Sequence, residues 1–364
     1  MILHRTICNK IGGGLIVAKD VNVFHKNIIL LVGSIILSIT FAEVVLRLVL
    51  PLPPTWKYPQ EDYIYDPEIG HWIKPNQLAF THDKAVITNS IGIRGSEYSV
   101  EAPTGIYRIL ALGDSQTFGN GLALIETWPK QLESKLNQSS NWLQFEVLNC
   151  GLPGSDTWQH EIILKRMILN YHPDAVVLAF YVNDVVKRFN PSPPKHDSAN
   201  ELKNRVTYAL KQSVLLLTLR EVFYSIWQTL APTSAYLGQQ AVLNGEDDVA
   251  TEKGWGQVED SFFAMKKVAD SHGAAFMLAS LPRRDQVDGR LYWDDYNKNL
   301  RTLADQYKIP MVSMLEPLQR AYKKHNGSLF IPWDGHNSEL ANYFIAEELS
   351  KVMLENLEQS RQSD

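Results

Sequence analysis

Between Tyr107 and Leu357 the sequence keeps returning to one alternation, in which short apolar runs are separated by stretches with helical spacing. The runs are Arg108 to Leu112, Phe145 to Asn149, Ala175 to Tyr181, Ala274 to Leu281 and Pro310 to Met314. Runs this short and this apolar suit strands buried on both faces, and strands separated by helices pair in parallel. The pattern predicts an α/β fold with a parallel five-stranded sheet covered by helices on both sides. One helix is expected after Thr127, an N-cap residue before Pro129, with Trp128, Leu132 and Leu136 four apart. Others are expected near Trp158 to Leu169, Val258 to Ser271, Tyr296 to Tyr307 and Ser338 to Leu357. No internal repeat interrupts this grammar, and 364 residues with 45% apolar content are enough for a sizeable core.

The N-terminus obeys a different rule. Ile28 to Ala42 carries no charge, and the apolar run continues to Leu50 with only Glu43 and Arg47 interrupting it. At 1.5 Å per residue this stretch spans a hydrocarbon core of about 30 Å. Glu43 and Arg47 lie four apart on one helix face, where they pair, and Arg47 is near enough to the end to snorkel. The exit Leu48-Val49-Leu50-Pro51-Leu52-Pro53 lacks a small-x-small cleavage site, which favours an uncleaved anchor over a signal peptide. Arg5, Lys10, Lys19 and Lys26 precede the run against a lone Asp20, whereas Glu61, Asp62, Asp66 and Glu68 follow it. The excess of Lys and Arg before the run places residues 1–27 in the cytoplasm, 28–50 in the membrane and the body outside.

Residues 51–106 are rich in Tyr, Pro, Gly and Asn and read as an irregular lead-in packed on the α/β domain at 107–358. That domain is interrupted at about 186–256 by a helical insertion opening with Pro191-Ser192-Pro193-Pro194. Its apolar stretch Val214 to Leu230 holds Arg220 and Glu221 at its centre, which argues against a second membrane span. The insertion reads as a helical cap beside the functional site. The net charge of −5, with both signs interspersed, excludes a nucleic-acid surface. Cys8 and Cys150 lie on opposite sides of the anchor and are poorly placed to pair.

The chemistry-bearing residues sit where the strands end. Ser115 closes Ile109-Leu110-Ala111-Leu112-Gly113-Asp114-Ser115, at the carboxyl end of a strand, where open α/β sheets place their ligands. Gln116 and Thr117 follow, so this is not a Gly-x-Ser-x-Gly elbow. Alone, Gly-Asp-Ser is a weak signal and reads more often as a turn. Three further blocks follow in order: Asn149-Cys150-Gly151-Leu152-Pro153-Gly154, Asn183-Asp184 and Asp334-Gly335-His336.

In this order and spacing the four blocks resemble those of the SGNH (GDSL-type) hydrolases over most of Tyr107 to Leu357. Asn89-Ser90-Ile91-Gly92-Ile93-Arg94 resembles the lead-in of membrane-anchored bacterial members. The resemblance implies a flavodoxin-like three-layer fold and a serine esterase, with Ser115 as nucleophile, His336 as general base and Asp334 orienting the imidazole. It implies an oxyanion hole from the Ser115 N–H, Gly154 and the Asn183 side chain, with Gly151 as the other glycine of its block. Two features depart from the pattern. Tyr181 replaces the glycine two residues before Asn183, which narrows the pocket, and Asp334 and His336 are separated by one residue instead of two. Residues i and i+2 of an extended loop point to one side, so an Asp334–His336 contact is feasible.

Other readings of these residues are plainer. Asn183 reads also as a helix cap, and Asp334 to Asn337 as a turn leading into an N-cap at Asn337 or Ser338. Trp333 and Tyr181 read equally as pocket walls or core. His160, His172, His272 and His325 are scattered without zinc spacing and read as solvated. No phosphate loop or dinucleotide fingerprint is present, so no cofactor and no metal are implied. The expected activity is hydrolysis of an ester, with O-acyl groups on extracytoplasmic carbohydrate as the substrate class. The alternatives are an O-acyltransferase on cell-surface or exported polysaccharide using the same triad, and a non-catalytic carbohydrate-binding protein.

Overall fold

A computed structural model describes residues 8–185, 201–246, 249–325 and 327–363, with no side-chain description for 8–22, 201–205, 235, 249 and 363. Residues 1–7 of the predicted cytoplasmic tail, the side chain of Cys8 and the Pro191-Ser192-Pro193-Pro194 opening of the insertion lie outside that description. The chain divides into two compact units, residues 1–53 with 206–223, and 54–205 with 224–364.

The first unit is built on α1 (Cys8–Val49). Its stretch Val23–Val49 has a mean hydropathy of 2.5 and none of it is buried in the protein. By length and composition it suits a membrane anchor or a signal sequence, and it begins five residues before the predicted Ile28. Glu43 and Arg47 pair at 2.6 Å, as their spacing predicts.

The second unit opens with structure that the sequence reading missed. The lead-in holds two antiparallel hairpins, β1 (Tyr63–Asp66) with β2 (Gly70–Ile73) and β3 (Leu78–Thr81) with β4 (Lys84–Ile87). Strands of four residues are too short for a period-2 pattern to stand out, so the segment read as irregular.

The five predicted strands all form, as β5 (Ile106–Gly113), β6 (Gln144–Gly151), β7 (Ala175–Phe180), β8 (Ala275–Ser280) and β9 (Met311–Ser313). Every pairing among them is parallel, in the order β6-β5-β7-β8-β9. This is the 2-1-3-4-5 order of a flavodoxin-like sheet, whose ligand crevice lies where the order reverses, between β5 and β7. Ser115 follows β5, and Asn183 follows β7.

The helices are α2 (Ser115–Phe118), α3 (Trp128–Ser139), α4 (Thr157–Tyr171), α5 (Glu201–Lys211), α6 (Val214–Leu230), α7 (Ser234–Asn244), α8 (Val249–Ser271), α9 (Arg284–Val287), α10 (Asp295–Gln306), α11 (Leu315–Lys324) and α12 (Glu339–Ser363). Alternate residues of each strand serve opposite faces of the sheet. Leu110, Leu112, Leu148 and Val176 pack with Ile163 and Met167 of α4, Phe262 of α8 and Leu300 of α10. Ile109, Ala111, Val147 and Val177 pack with Leu132 of α3, Leu318 of α11 and Ile345 of α12. The result is the three-layer arrangement expected. The long α8 runs across the predicted end of the insertion near residue 256, because its C-terminal half belongs to the sheet-packing layer.

One buried cation ties the layers together at the amino end of β5. Arg108 is fully buried, with Nε 2.7 Å from a Glu146 carboxylate oxygen and Nη1 donating to the carbonyls of Ser99, Val100 and Tyr171. It joins the end of the lead-in, β6 and the end of α4 through one side chain. Removing it strands a carboxylate and three carbonyls. Arg108→Met is therefore expected to lower stability by about 3–5 kcal/mol in urea unfolding followed by tryptophan fluorescence, and a change below about 1 kcal/mol would show the network to be dispensable.

Candidate active site

The turn after β5 leaves no room for a side chain. Gly113 has φ +150°, and a Cβ there would lie 2.2 Å from Thr117 Oγ1 and 2.9 Å from the Ala179 carbonyl. Asp114 then caps α2, its Oδ1 accepting from the Gln116 N–H at 2.8 Å. Ser115 is thereby the first residue of a one-turn helix, half-buried at the carboxyl edge of the sheet.

The other end of α2 is gripped by the lead-in and by β6. Arg94, 1% exposed, donates through Nη1 to the carbonyls of Phe118 and Gly119 and through Nη2 to Leu122. Burial pushes the Arg94 guanidinium down to about 10, still far above neutrality. Asn149 donates from Nδ2 to the Thr117 carbonyl at 2.9 Å and accepts the Gly151 N–H on Oδ1. The residues of Asn89-Ser90-Ile91-Gly92-Ile93-Arg94 thus have a local purpose. Asn89 Oδ1 accepts the Ile91 and Ile93 N–H groups, and the turn delivers Arg94 to the serine-bearing helix.

His336 arrives from the opposite end of the chain. The loop before α12 is closed by Ile331 N–H to the His336 carbonyl at 2.8 Å, and it docks on α2 through the Asn337 N–H, which donates to Gln116 Oε1 at 3.1 Å. Asn342 in α12 accepts the Trp128 N–H at 2.8 Å and holds that helix against the start of α3. His336 Nε2 lies 2.9 Å from Ser115 Oγ. On its other side Nδ1 bonds Asp334 Oδ1, which also accepts the His336 backbone N–H at 3.1 Å. One intervening residue is therefore enough for the Asp–His contact.

The second oxygen of Asp334 has a partner that nothing local in the sequence singles out. His82, at the tip of the β3–β4 hairpin, places Nε2 3.0 Å from Asp334 Oδ2. Its side chain is 6% exposed and its ring lies 4.4 Å from that of Trp56. The backbone is pinned as well, with its N–H on Gln60 Oε1 and its carbonyl accepting from Lys57 N and Gln60 Nε2. Burial works to raise the Asp334 carboxyl, but hydrogen bonds from His336 and His82 outweigh it and hold that carboxyl far below its ordinary range. Burial works to lower His336, and its bond to Asp334 overcomes this and leaves the imidazole raised.

Of the expected oxyanion donors, Ser115 begins α2 and Asn183 reaches its cap, Asp114. Among the described residues the N–H groups of Ser115 and Gly154 have no hydrogen-bond partner, and Gly154 is exposed with φ +76°. Gly151 is unsuited, since its N–H is taken by Asn149 and a Cβ there would lie 2.2 Å from the Phe118 nitrogen. Asn183 donates from Nδ2 to Asp114 Oδ2 at 3.2 Å, and its Oδ1 is buried without a partner. Asp114 is 2% exposed and burial raises its carboxyl. Tyr181 is half-buried and packs against both core clusters, with its N–H on Asp184.

His160 corrects an expectation. It is fully buried, with Nε2 2.7 Å from Ser155 Oγ, and burial pushes it down to about 3, so it stays neutral. Its place in the first turn of α4 hid this, because that turn faces the sheet. His172, His272 and His325 are not buried.

The profile of the GDSL-like Lipase/Acylhydrolase family matches residues 111–333, more than half of the chain and inclusive of Ser115, Gly154 and Asn183. No curated protein matches the sequence. Among solved structures, TesA is 16% identical over 66% of this chain and 95% of its own, with a TM-score of 0.41. A putative lipolytic protein of the G-D-S-L family from Desulfitobacterium hafniense is 17% identical over 67% and 98%, with a TM-score of 0.40. An acetylxylan esterase from Geobacillus stearothermophilus is 12% identical over 67% and 93%, with a TM-score of 0.41. On the family profile, over a sheet with Ser115 at the end of its first strand, the chain belongs to the GDSL-like lipase/acylhydrolase family and is an ester-hydrolysing enzyme.

Proposed function

We propose that Ser115, His336 and Asp334 form the catalytic triad of a membrane-anchored serine esterase. The observation that carries this reading is the 2.9 Å approach of His336 Nε2 to Ser115 Oγ, with Asp334 on Nδ1. Asp334 fixes the tautomer in which Nδ1 bears the proton and Nε2 is free to accept one. As Ser115 Oγ bonds to the ester carbonyl carbon, its proton passes to Nε2. The tetrahedral oxyanion is received by the Ser115 and Gly154 N–H groups and the Asn183 amide. His336 then protonates the departing alcohol, and a water activated by the same imidazole releases the acid. Asp114 steadies Asn183 and adds negative charge that favours the imidazolium.

The substrate we assign is an O-acyl group on extracytoplasmic carbohydrate. Its support is the excess of Lys and Arg before the apolar segment, which puts the body of the protein outside the cytoplasm. Residues 51–106 serve in this reading as a lead-in that completes the site, and 107–358 as the catalytic domain. Full-length enzyme given acylated oligosaccharides should release free acid. If acyl groups move to an added sugar acceptor instead, the same triad is working as a transferase.

A fluorophosphonate tests the nucleophile, because Ser115 Oγ displaces fluoride from phosphorus only when His336 takes its proton. Labelling should map to Ser115 and be lost in Ser115→Ala and His336→Ala. Normal labelling of His336→Ala would show that another group is the base. The base must be neutral, and its folded-state pKa is raised, so kcat/KM should rise with pH along a limb centred above the ordinary histidine value of about 6.5. In Asp334→Asn the raising carboxylate is gone, so the limb should move to lower pH while the rate falls by as much as about 10⁴.

Asn183→Ala removes one oxyanion donor and should lower kcat by about 10²–10³ with the fold intact by circular dichroism, whereas a loss below about threefold would remove Asn183 from the site.

His82 acts in this scheme as a positioning residue, holding the second oxygen of Asp334. His82→Leu should lower kcat by roughly 10- to 100-fold with KM little changed, as expected for a misplaced catalytic group. Without the His82 donor the Asp334 charge bears more fully on His336, so the pH limb should move upward. His82→Gln keeps an amide donor and should restore most of the rate. An unchanged limb and kcat in His82→Leu would leave His82 with a packing role alone.

A further inference from the structure

Glu43 presents a problem that α1 alone does not solve. It lies six residues before the end of the apolar stretch Val23–Val49, so about 9 Å inside it at 1.5 Å per residue. A carboxylate at that depth needs partners other than water. Arg47 supplies one. The others come from the start of α6, where Glu43 accepts the Val214 N–H at 3.0 Å, the Leu215 N–H at 2.9 Å and the Ser213 hydroxyl at 2.8 Å. Arg47 also donates to the Gln212 carbonyl.

The same contacts leave the first turn of α6 with no need of water. The Leu216 N–H goes to Ser213 Oγ at 3.2 Å and the Leu217 N–H to the Ser213 carbonyl at 3.0 Å. Helix N-termini leave these donors to capping side chains or to water. A helix start whose backbone donors are all met by protein is what a low-water environment demands.

From that start α6 carries an apolar stripe that is well exposed. Leu216, Leu219, Val222, Phe223, Ile226 and Trp227 are each between 42% and 66% exposed, and Leu230 is 77% exposed. At 100° per residue these seven fall within about 140° of arc, while Thr218, Glu221, Ser225 and Thr229 lie on the other side. Arg220 pairs with Glu221 at 2.7 Å.

We infer that α6 is a second membrane-contacting element, an amphipathic helix whose apolar stripe lies among the lipids of the leaflet in which α1 ends. The lipid is chosen over other occupants because Glu43 fixes Val214 and Leu215 at a level of α1 that is itself within the apolar span. What covers α1 there also covers the first turn of α6. Seventeen residues with a charged pair at the middle lie on a bilayer rather than cross it, with the aromatic rings of Phe223 and Trp227 at the boundary. The inference rests on α1 being an anchor and is independent of the catalytic reading.

The test uses full-length protein in phosphatidylcholine–phosphatidylglycerol vesicles, with an environment-sensitive fluorophore on single introduced cysteines in a Cys8→Ser, Cys150→Ala background. Probes replace Phe223 on the stripe, Ser225 on the polar side and Ile35 in the middle of α1. Brominated lipids should quench the Phe223 and Ile35 probes at least about threefold more than the Ser225 probe, as an interfacial helix requires. In Glu43→Ala, quenching at Phe223 should fall while quenching at Ile35 persists. Quenching at Ile35 with none at Phe223 overturns the inference and leaves the anchor standing. A Phe223 probe shielded from iodide yet untouched by brominated lipid also overturns it, in favour of a second copy of the chain on the stripe. Absence of quenching at Ile35 overturns the anchor and the inference together.

Discussion

The position of the Ser115 hydroxyl depends on a turn made within two residues of the end of β5. That turn exists because Gly113 brings the chain against Thr117 and Ala179, and Gly151 lets β6 come up against the Phe118 nitrogen. Any larger residue at either place would push α2 outward and carry Ser115 away from His336 Nε2. The helix is too short to hold itself, with one turn of backbone bonds against the entropy of its residues. Its rigidity comes from outside, from Asp114 at its start and from Arg94 and Asn149 on its last carbonyls. Every one of these groups is buried, so the bonds are not shared with water.

The lead-in accordingly touches both the serine helix and the histidine loop. Arg94 grips the serine helix, and His82 grips the acid of the histidine loop. The second contact has a physical reason in the shortened Asp334-Gly335-His336 turn. With one residue between them, Asp334 meets His336 through a single oxygen that also takes the backbone N–H of the same histidine. A carboxylate held on one oxygen alone can swing about its own bond. His82 fixes the other oxygen, and the hairpin that carries it is itself anchored through Gln60 and Lys57. Both bonds stabilise the ionised form of Asp334, which in turn keeps the imidazole basic.

What was legible in the sequence follows from what each feature depends on. Strands buried on two faces must be apolar throughout, so β5 to β9 were visible as runs, and their ends marked Ser115 and Asn183. The Asp334–His336 contact was legible because it spans two residues. His82 was not, since its partner is 252 positions away and nothing local distinguishes a histidine at a hairpin tip from a solvated one. Arg108 was hidden for the same reason. It stood at the start of an apolar run with nothing local to show its role, and its burial is tolerable only because Glu146 and three carbonyls from distant segments converge on it. His160 was misread because its helix face could not be assigned before the sheet was in place.

Glu43 shows how an i,i+4 pairing can be correct and still incomplete. The spacing to Arg47 accounts for the charge balance of the apolar stretch, and the ion pair is present. A carboxylate, however, has about four lone-pair sites, and one guanidinium nitrogen on one oxygen leaves the rest unmet, at a depth where, with α1 as an anchor, water is scarce. The start of α6 offers the complement, a set of backbone N–H groups that no residue of α6 can satisfy. Each group would be unfavourable in an apolar setting by itself, and together they leave neither a bare charge nor bare donors. That reciprocity explains why an acidic residue stands near the end of the apolar stretch at all. It also explains why the apolar stretch in the middle of the insertion begins where it does, immediately after Ser213.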